Sequence, residues 1–504
     1  MLFKLVTTLS LLLWICKADD VLKNNGQFPR NFMFGAASSA YQIEGAWNED
    51  GKGLSTWDHF VRRTPSPVVD NTTGDVACDS YRRWKEDVKL VADLGVQSYR
   101  FSISWPRILP SGYDKHVNEK GLEFYKQLVQ EIIKHGMVPV ATIFHWDLPQ
   151  FLFDNGLDWT NEELINVFVR YARFVIKNLP EVGYWITINE PRVHCRRSYG
   201  DGLHAPGVSD DGIGDYKCTY NILKAHSAVY RMYKREFPRY KAKMGMVVDC
   251  QWYEPASNRP EDVEAAERHY QFECGMYLHP IFQGDWPPLV KYRVAERSRR
   301  EGYTKSRLPS FTAEEVKFMR GTQDFLGVNH YSTTSVSNVQ EASYNETSFA
   351  HDIRVSINRK LNWEVSFLGW GVVPTGVRRL LNLFKERYND PDVMFTEIGV
   401  ADDGTTLRDD IRIRYFRSYF CNILEAMQVD KVSVVGIIPW SAMDSFEWHR
   451  GYEARFGFYA IDFENDPQLL RRPKMSVNYY KSIVESKRLH CNTAVSVWND
   501  KEIL

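Results

Sequence analysis

Two glutamates carry the first suggestion of chemistry. Glu190 follows the apolar run from Tyr184 to Asn189, and Glu397 follows a similar run from Val393 to Thr396 far along the chain. Two carboxyl groups converging on one mouth can cleave a glycosidic bond, because one protonates the leaving oxygen while the other attacks the sugar or activates water. One such glutamate alone would carry little weight, since a buried carboxylate is often just the structural partner of an arginine. Their company is what distinguishes them. Gln42 follows the run from Phe32 to Ala36, Arg100 lies within Val96 to Ser104, and His145 and Trp146 follow Met137 to Phe144. Asn189 precedes Glu190, Asn329 and Tyr331 stand at the end of the run begun by Phe325, and Trp440 closes Val434 to Trp440, with Glu447 and Trp448 shortly beyond. Amides, an imidazole, a phenol and indoles suit a sugar, whose hydroxyl edges hydrogen-bond and whose C–H faces pack on aromatic rings.

For these residues to meet, the runs that end in them must be buried parallel strands whose C-terminal ends share one face. With Met244 to Val248 the runs number eight. Between them, Tyr81, Trp84, Val88 and Val91 recur at helical spacing, as do Leu122, Tyr125, Val129 and Ile132, and less completely Val167, Tyr171, Phe174 and Asn178. Eight strands each followed by a helix or long connection predict an α/β fold of one closed (β/α)8 TIM barrel, with the active site built from the loops after the strands. A doubly wound open sheet would carry a Gly-rich phosphate turn after its first strand, and none stands there. The segments Pro287 to Thr322 and Ser332 to Gly371 are polar without clear periodicity and are expected to be long loops at one barrel face. No repeat of fixed period and no long Gly/Ser/Pro linker divides the chain, so a single barrel domain is expected over 19–504.

The composition agrees with a folded protein acting on a small or neutral partner. Hydrophobic residues make up 44% of the 504-residue chain and charged ones 25%, which suits a sizeable core and excludes general disorder. Net charge is −1 with both signs interspersed, so neither nucleic acid nor an anionic membrane is an expected partner. Lys4, the apolar stretch from Leu5 to Cys16 and small Ala18 form a secretory leader over 1–18, whose removal shifts the charge from −1 to −3 because Lys4 and Lys17 leave with it. No other run reaches the roughly 18 apolar residues of a membrane helix. A secreted protein, monomeric or homodimeric, follows as the expectation. The sequons at Asn71 and Asn345 are then open to N-glycosylation. The terminal Lys501-Glu502-Ile503-Leu504 is a poor match to an ER-retrieval signal. Seven cysteines remain after the leader, too few for a disulfide scaffold and without metal-ligand spacing, so buried thiols with one or two bridges are expected and no metal or cofactor is.

The motifs themselves resemble those of a known family. Tyr41-Gln42-Ile43-Glu44-Gly45, Tyr99-Arg100-Phe101-Ser102-Ile103-Ser104-Trp105, Ile188-Asn189-Glu190-Pro191, Phe395-Thr396-Glu397 and the run from Trp440 to Trp448 resemble glycoside hydrolase family 1 β-glucosidases, above all those of insects. The likeness runs from about Phe28 to Ser486. It implies a retaining exo-β-glucosidase acting on small β-glucosides, with Glu190 as acid/base and Glu397 as nucleophile. It further implies that Arg100 keeps Glu397 ionised, that Tyr331 and Asn329 orient it, and that Asn189 bonds the sugar 2-hydroxyl. Gln42, His145, Glu447 and Trp448 would bind other hydroxyls, Trp440 would lie under the ring, and Trp146 and Phe456 would wall the pocket.

Two departures bear on specificity. The family usually reads Thr-Glu-Asn-Gly at the nucleophile, whereas Ile398 follows Glu397 here. After the acid/base, Arg192 takes a usually aromatic position, and Arg196 and Arg197 follow. They read either as a solvated basic loop or as a cationic clamp for an anionic aglycone, since Arg forks bind sulfate bidentately. The clamp would suit a thioglucosidase of the myrosinase kind, and some animal enzymes of that kind resemble this chain in having a basic residue where Arg196 stands. They also carry one just after the tyrosine equivalent to Tyr331, where this chain has Thr333 and Thr334. A rival from another class is a non-catalytic sugar-binding barrel, which would be expected to lack Glu190 or Glu397.

Overall fold

The computed structural model describes residues 26–340 and 347–491, so the leader segment and Asn345 lie outside the described residues. Eight strands close a barrel in which sequential neighbours pair in parallel and the last returns to the first: β1 (Met33–Ala37), β2 (Ser98–Ser102), β3 (Val138–Phe144), β4 (Tyr184–Asn189), β5 (Lys243–Asp249), β6 (Leu326–His330), β7 (Val393–Ile398) and β8 (Val434–Ile437). The expected (β/α)8 barrel is thus the observed one, with strand ends moved by three residues at most: β8 stops at Ile437, so that Trp440 lies beyond it.

The side-chain alternation of a strand explains how this wall separates two cores. Val140, Ile186, Val247 and Met394 belong to a small apolar cluster inside the barrel, while their neighbours Ala141, Trp185, Val248 and Phe395 belong to the large layer beneath the helices. Helices α1 (Ser80–Asp93), α2 (Glu119–Lys134) and α3 (Glu163–Asn178) supply that layer at the expected places. The buried face of α3 is Leu164, Phe168, Tyr171 and Val175, rotated from the predicted one; Val167 and Phe174 are only partly buried.

Both segments expected to be loops are partly regular. Residues Pro288–Arg300 and Ala313–Met319 are helices, the second opened by a Thr312/Glu315 capping box. The first buries Val290 and Val294 but also Arg297 and Ser298, so half its inner face is polar and the apolar period fades. Thr333–Asn338 and three further short segments between Val355 and Val372 join Trp252–Pro255 in a five-stranded sheet above the barrel mouth loops. Its Thr and Ser residues pair through backbone, and a half-exposed sheet needs no continuous apolar run.

The cysteine expectation is also corrected. Three bridges join Cys195 to Cys218, Cys250 to Cys274 and Cys421 to Cys491, and buried Cys78 stays free. Sequence separations of 23, 24 and 70 give no hint of the Cα approaches of 5.5, 5.6 and 5.6 Å that the fold creates. Among the described residues no helix is long and apolar enough to cross a membrane.

Candidate active site

The two strands that lead to the glutamates are the irregular ones. Pairing of β4 with β5 shifts register between Ile186 and Asn189, and that of β7 with β6 shifts between Phe395 and Glu397. Such shifts break the alternation of side chains and re-aim them. Consecutive residues Thr396 and Glu397 therefore both bond within the mouth: Thr396 Oγ1 donates to Asn329 Oδ1 at 2.8 Å, and Glu397 receives Arg100 and Tyr331. Glu190 is turned by its backbone, at φ 44° in the left-handed region, between β4 and the helix Pro191–Tyr199. A side chain there costs on the order of 1–2 kcal/mol. Pro191 opens the helix where no N–H is needed, and the Glu190 N–H donates to Val247 O on β5 at 3.0 Å.

The carboxyl groups have opposite surroundings. Glu397 Oε1 accepts from Arg100 Nη1 at 2.6 Å and its Oε2 from the Tyr331 hydroxyl at 2.5 Å. Glu190 accepts one bond, from Asn329 Nδ2 at 2.6 Å. Burial holds the Glu190 carboxyl well above the usual range, with the Glu397 and Asp249 charges adding to the rise and the Asn329 bond and Arg192 opposing it. Burial, then Glu397 and Glu190, push the Tyr331 phenol far up, so it remains a donor to Glu397.

The remaining predicted residues surround this pair. Arg100 Nη2 donates to Asn189 Oδ1 at 2.6 Å, which turns the Asn189 amide so that Nδ2 faces His145 Nε2 at 3.2 Å. His145 is held neutral, its pKa driven well down by burial and then by Arg100. Gln42 receives Ser39 Oγ at Oε1 and donates from Nε2 to Phe446 O at 2.8 Å and Glu447 Oε2 at 3.2 Å. Burial and Glu397 raise Glu447 to about 8, against the Gln42 bond. The Trp448 ring lies 4.6 Å from Trp146, whose Nε1 donates to Asn189 O, and Trp440 lies 6.3 Å from His145. Phe456 is 5.7 Å from Tyr331. Ile398 is fully buried in the large core and presents no polar group.

The three arginines do not form a patch of unpaired cations. Arg192 is held between Asp249 and Glu273, with Nε 2.5 Å from Asp249 Oδ2 and Nη1 2.5 Å from Glu273 Oε2. Arg196 pairs with Asp211 at 3.0 Å and Asp215 at 2.7 Å and stacks over Phe349, and Arg197 pairs with Asp201. Sequence reasoning missed Asp249, at the end of β5, because a lone Asp at a strand end lacks a visible counterpart; Glu273 lies 24 residues further on. It also missed Trp370, 40% exposed and 5.6 Å from Tyr331 at the rim. An indole flanked by Gly369 and Gly371 in a polar stretch was the available signal. Among the described residues no group of three His, Cys, Asp or Glu side chains is disposed to hold a metal ion.

A TIM barrel with two buried carboxyl groups at the strand ends, among amides and indoles, has the architecture of a glycoside hydrolase. Residues 24–489 match the profile of glycosyl hydrolase family 1, and the chain belongs to that family. It is 40% identical over 467 residues to Myrosinase 1 of Brevicoryne brassicae, covering 91% of this chain and 99% of the relative. It is 39% identical over 471 residues to the cytosolic β-glucosidase of Homo sapiens, covering 92% and 99%. Human lactase/phlorizin hydrolase is 44% identical over 480 residues, 93% of this chain, but the chain spans only 24% of that larger protein. Among solved structures, an aphid myrosinase superposes with TM-score 0.87 at 40% identity, covering 92% of this chain and all of that one; a rice β-glucosidase does so with TM-score 0.86 at 34% identity, covering 90% and 98%.

Proposed function

We propose that the protein is a retaining exo-β-glucosidase that hydrolyses small β-glucosides, with Glu397 as nucleophile and Glu190 as acid/base. The observation that carries this is the contrast between the two carboxyls: one fixed by two donors, the other buried with its proton favoured. Glu397 attacks the anomeric carbon as Glu190 gives its proton to the departing oxygen, leaving a glycosyl ester on Glu397. Glu190, now ionised, takes a proton from water as that water opens the ester, and the first-formed sugar keeps the β configuration. Asn189, Gln42, His145, Glu447 and Trp448 bind the sugar hydroxyls, Trp440 underlies the ring, and Trp146 and Phe456 wall the pocket. Following the first-formed anomer by NMR tests the reading; an α product would refute it.

A thioglucosidase is the second reading, favoured by the similarity to aphid myrosinase. Against it stands the pairing of Arg192, Arg196 and Arg197 with five carboxylates, which leaves the aglycone side without excess positive charge for a sulfate. An aryl β-glucoside and a glucosinolate assayed side by side separate the two. We further propose secretion, with the 1–18 leader removed and the barrel domain beginning at 19, and a glycan on Asn71, which is exposed at a loop tip. Asn71→Gln should then abolish an endoglycosidase-sensitive gel shift.

A further inference from the structure

The turn that presents Glu447 and Trp448 is an unusual one. Glu447 N donates to Gly451 O at 2.6 Å and Gly451 N returns to Trp448 O at 3.1 Å, closing a five-residue loop. Within it Trp448 adopts φ 54° and Gly451 φ 60°. A tryptophan in the left-handed region persists only where its surroundings over-determine it. The turn's own bonds hold its two ends, and Tyr41, Trp57 and Trp146 pack on the indole. Its outer side is held by a distant segment.

That segment is 68–73, a loop more than 370 residues earlier in the chain. Val69 N donates to His449 O at 2.8 Å, and the Tyr452 hydroxyl donates to Thr73 O at 2.9 Å. Between these two bonds lies Asp70, whose oxygens divide their work. Oδ1 accepts from Thr72 N at 3.0 Å and Thr72 Oγ1 at 2.5 Å, which shapes the loop as an Asx turn. Oδ2 accepts from Tyr452 N at 2.7 Å. The carboxylate fills the space beside Gly451, where an added Cβ would stand 1.9 Å from Oδ1, so only glycine fits opposite it. Loop and turn are therefore fitted to each other at three hydrogen bonds and one close approach.

We infer that Asp70 is a positioning residue that holds the Glu447–Trp448 turn in its sugar-binding shape. This rests on the reading of Glu447 as a sugar-binding residue. Asp70 touches no reacting atom; it acts by fixing the Tyr452 amide and the space beside Gly451, and through them the direction of the Glu447 carboxyl toward Gln42.

A double-mutant cycle with 4-nitrophenyl β-glucoside tests this. Asp70→Asn leaves one oxygen for two backbone donors, Tyr452 N and Thr72 N, so whichever way the amide turns one of them faces its NH2. The clasp is loosened at the turn or within the loop that carries it, and KM should rise about tenfold with kcat changed about twofold or less, as loss of uniform binding does. Glu447→Gln alone should raise KM by at least as much. In the Glu447→Gln background, Asp70→Asn should add no more than about twofold, since the two act through one turn. Tyr452→Phe, which removes only the bond to Thr73, should raise KM in the same direction by less, and serves where Asp70→Asn does not fold. If Glu447→Gln leaves KM unchanged, the sugar-binding reading of Glu447 fails. If Glu447→Gln raises KM but Asp70→Asn lowers only Tm, or multiplies its full effect in the double variant, Asp70 is merely structural and the inference is overturned. Tyr452→Phe with unchanged KM overturns it likewise where Asp70→Asn does not fold.

Discussion

Arg100 and Glu397 are joined across the barrel, Nη1 to Oε1 at 2.6 Å, and the second amino group of the same guanidinium reaches Asn189 Oδ1 at 2.6 Å. One cation thus orients the proposed nucleophile and, through Asn189, the residue beside the proposed acid/base. A lysine cannot make both contacts from one nitrogen on a flexible stem. Arg100→Lys should fold but lose most of kcat/KM, whereas Arg100→Met should also lose about 3–5 kcal/mol of stability, because it strands a buried carboxylate. Denaturant melts beside steady-state kinetics check this; full activity in Arg100→Lys would show that the double contact is unnecessary.

The division of labour between the glutamates predicts unlike mutant phenotypes. Glu397→Gln should lower turnover about 10⁴-fold or more on every substrate, since no glycosyl ester can form. Glu190→Gln should cost about 10²–10⁴-fold on alkyl glucosides but far less in the ester-forming step with a dinitrophenyl leaving group, which needs no proton. Pre-steady-state release of dinitrophenol reads that step. Equal losses on both leaving groups would reverse or void the assignment.

The proposed roles require Glu190 to arrive protonated and Glu397 to attack as a carboxylate, so kcat/KM should be bell-shaped in pH with its alkaline limb set by Glu190. Asp249 raises the Glu190 pKa while Arg192, shared between Asp249 and Glu273, lowers it. In Asp249→Asn one negative charge disappears and Arg192 keeps only Glu273, and both changes favour ionised Glu190. The alkaline limb should therefore move to lower pH. Asp249 is itself pushed up to about 6 by burial, so the difference from the wild type should be largest above pH 6. An unmoved limb would remove Asp249 from the electrostatics of the acid/base.

Arg196 offers a test of the aglycone side. Its guanidinium is engaged by Asp211, Asp215 and the Phe349 ring, so Arg196→Ala should destabilise the protein by about 1.5–3 kcal/mol, the range for hydrogen bonds to charged groups. Activity on neutral and sulfated glucosides should fall together. A selective loss on the sulfated substrate, relieved by no second-site change and weakened by salt, would revive the thioglucosidase reading.

Much of this molecule was determined by local pattern. Eight apolar β-rich runs and the 3.6-residue periods between them suffice for the barrel, since a buried parallel strand needs apolar residues on both faces and its covering helix needs them on one. The residues standing at the ends of those runs, Gln42 to Trp448, follow from the same reading, because strand ends of such a barrel share one mouth. Wherever polar groups replaced apolar ones, the tertiary structure decided. The helix Pro288–Arg300 buries Arg297 and Ser298, and the strand Thr333–Asn338 is held by backbone pairing; neither leaves a period to read. Charge is the clearest case. Arg192, Arg196 and Arg197 read in sequence as a basic cluster, yet the fold brings Asp249 and Glu273 to Arg192 and Asp211 and Asp215 to Arg196, while Arg197 pairs locally with Asp201 four residues on. The bulges before Asn189 and Glu397, the cysteine pairs and the clasp of Asp70 on Tyr452 are likewise products of closure. They depend on which residues lie within a few ångströms in space, and spacing along a chain carries no such distance.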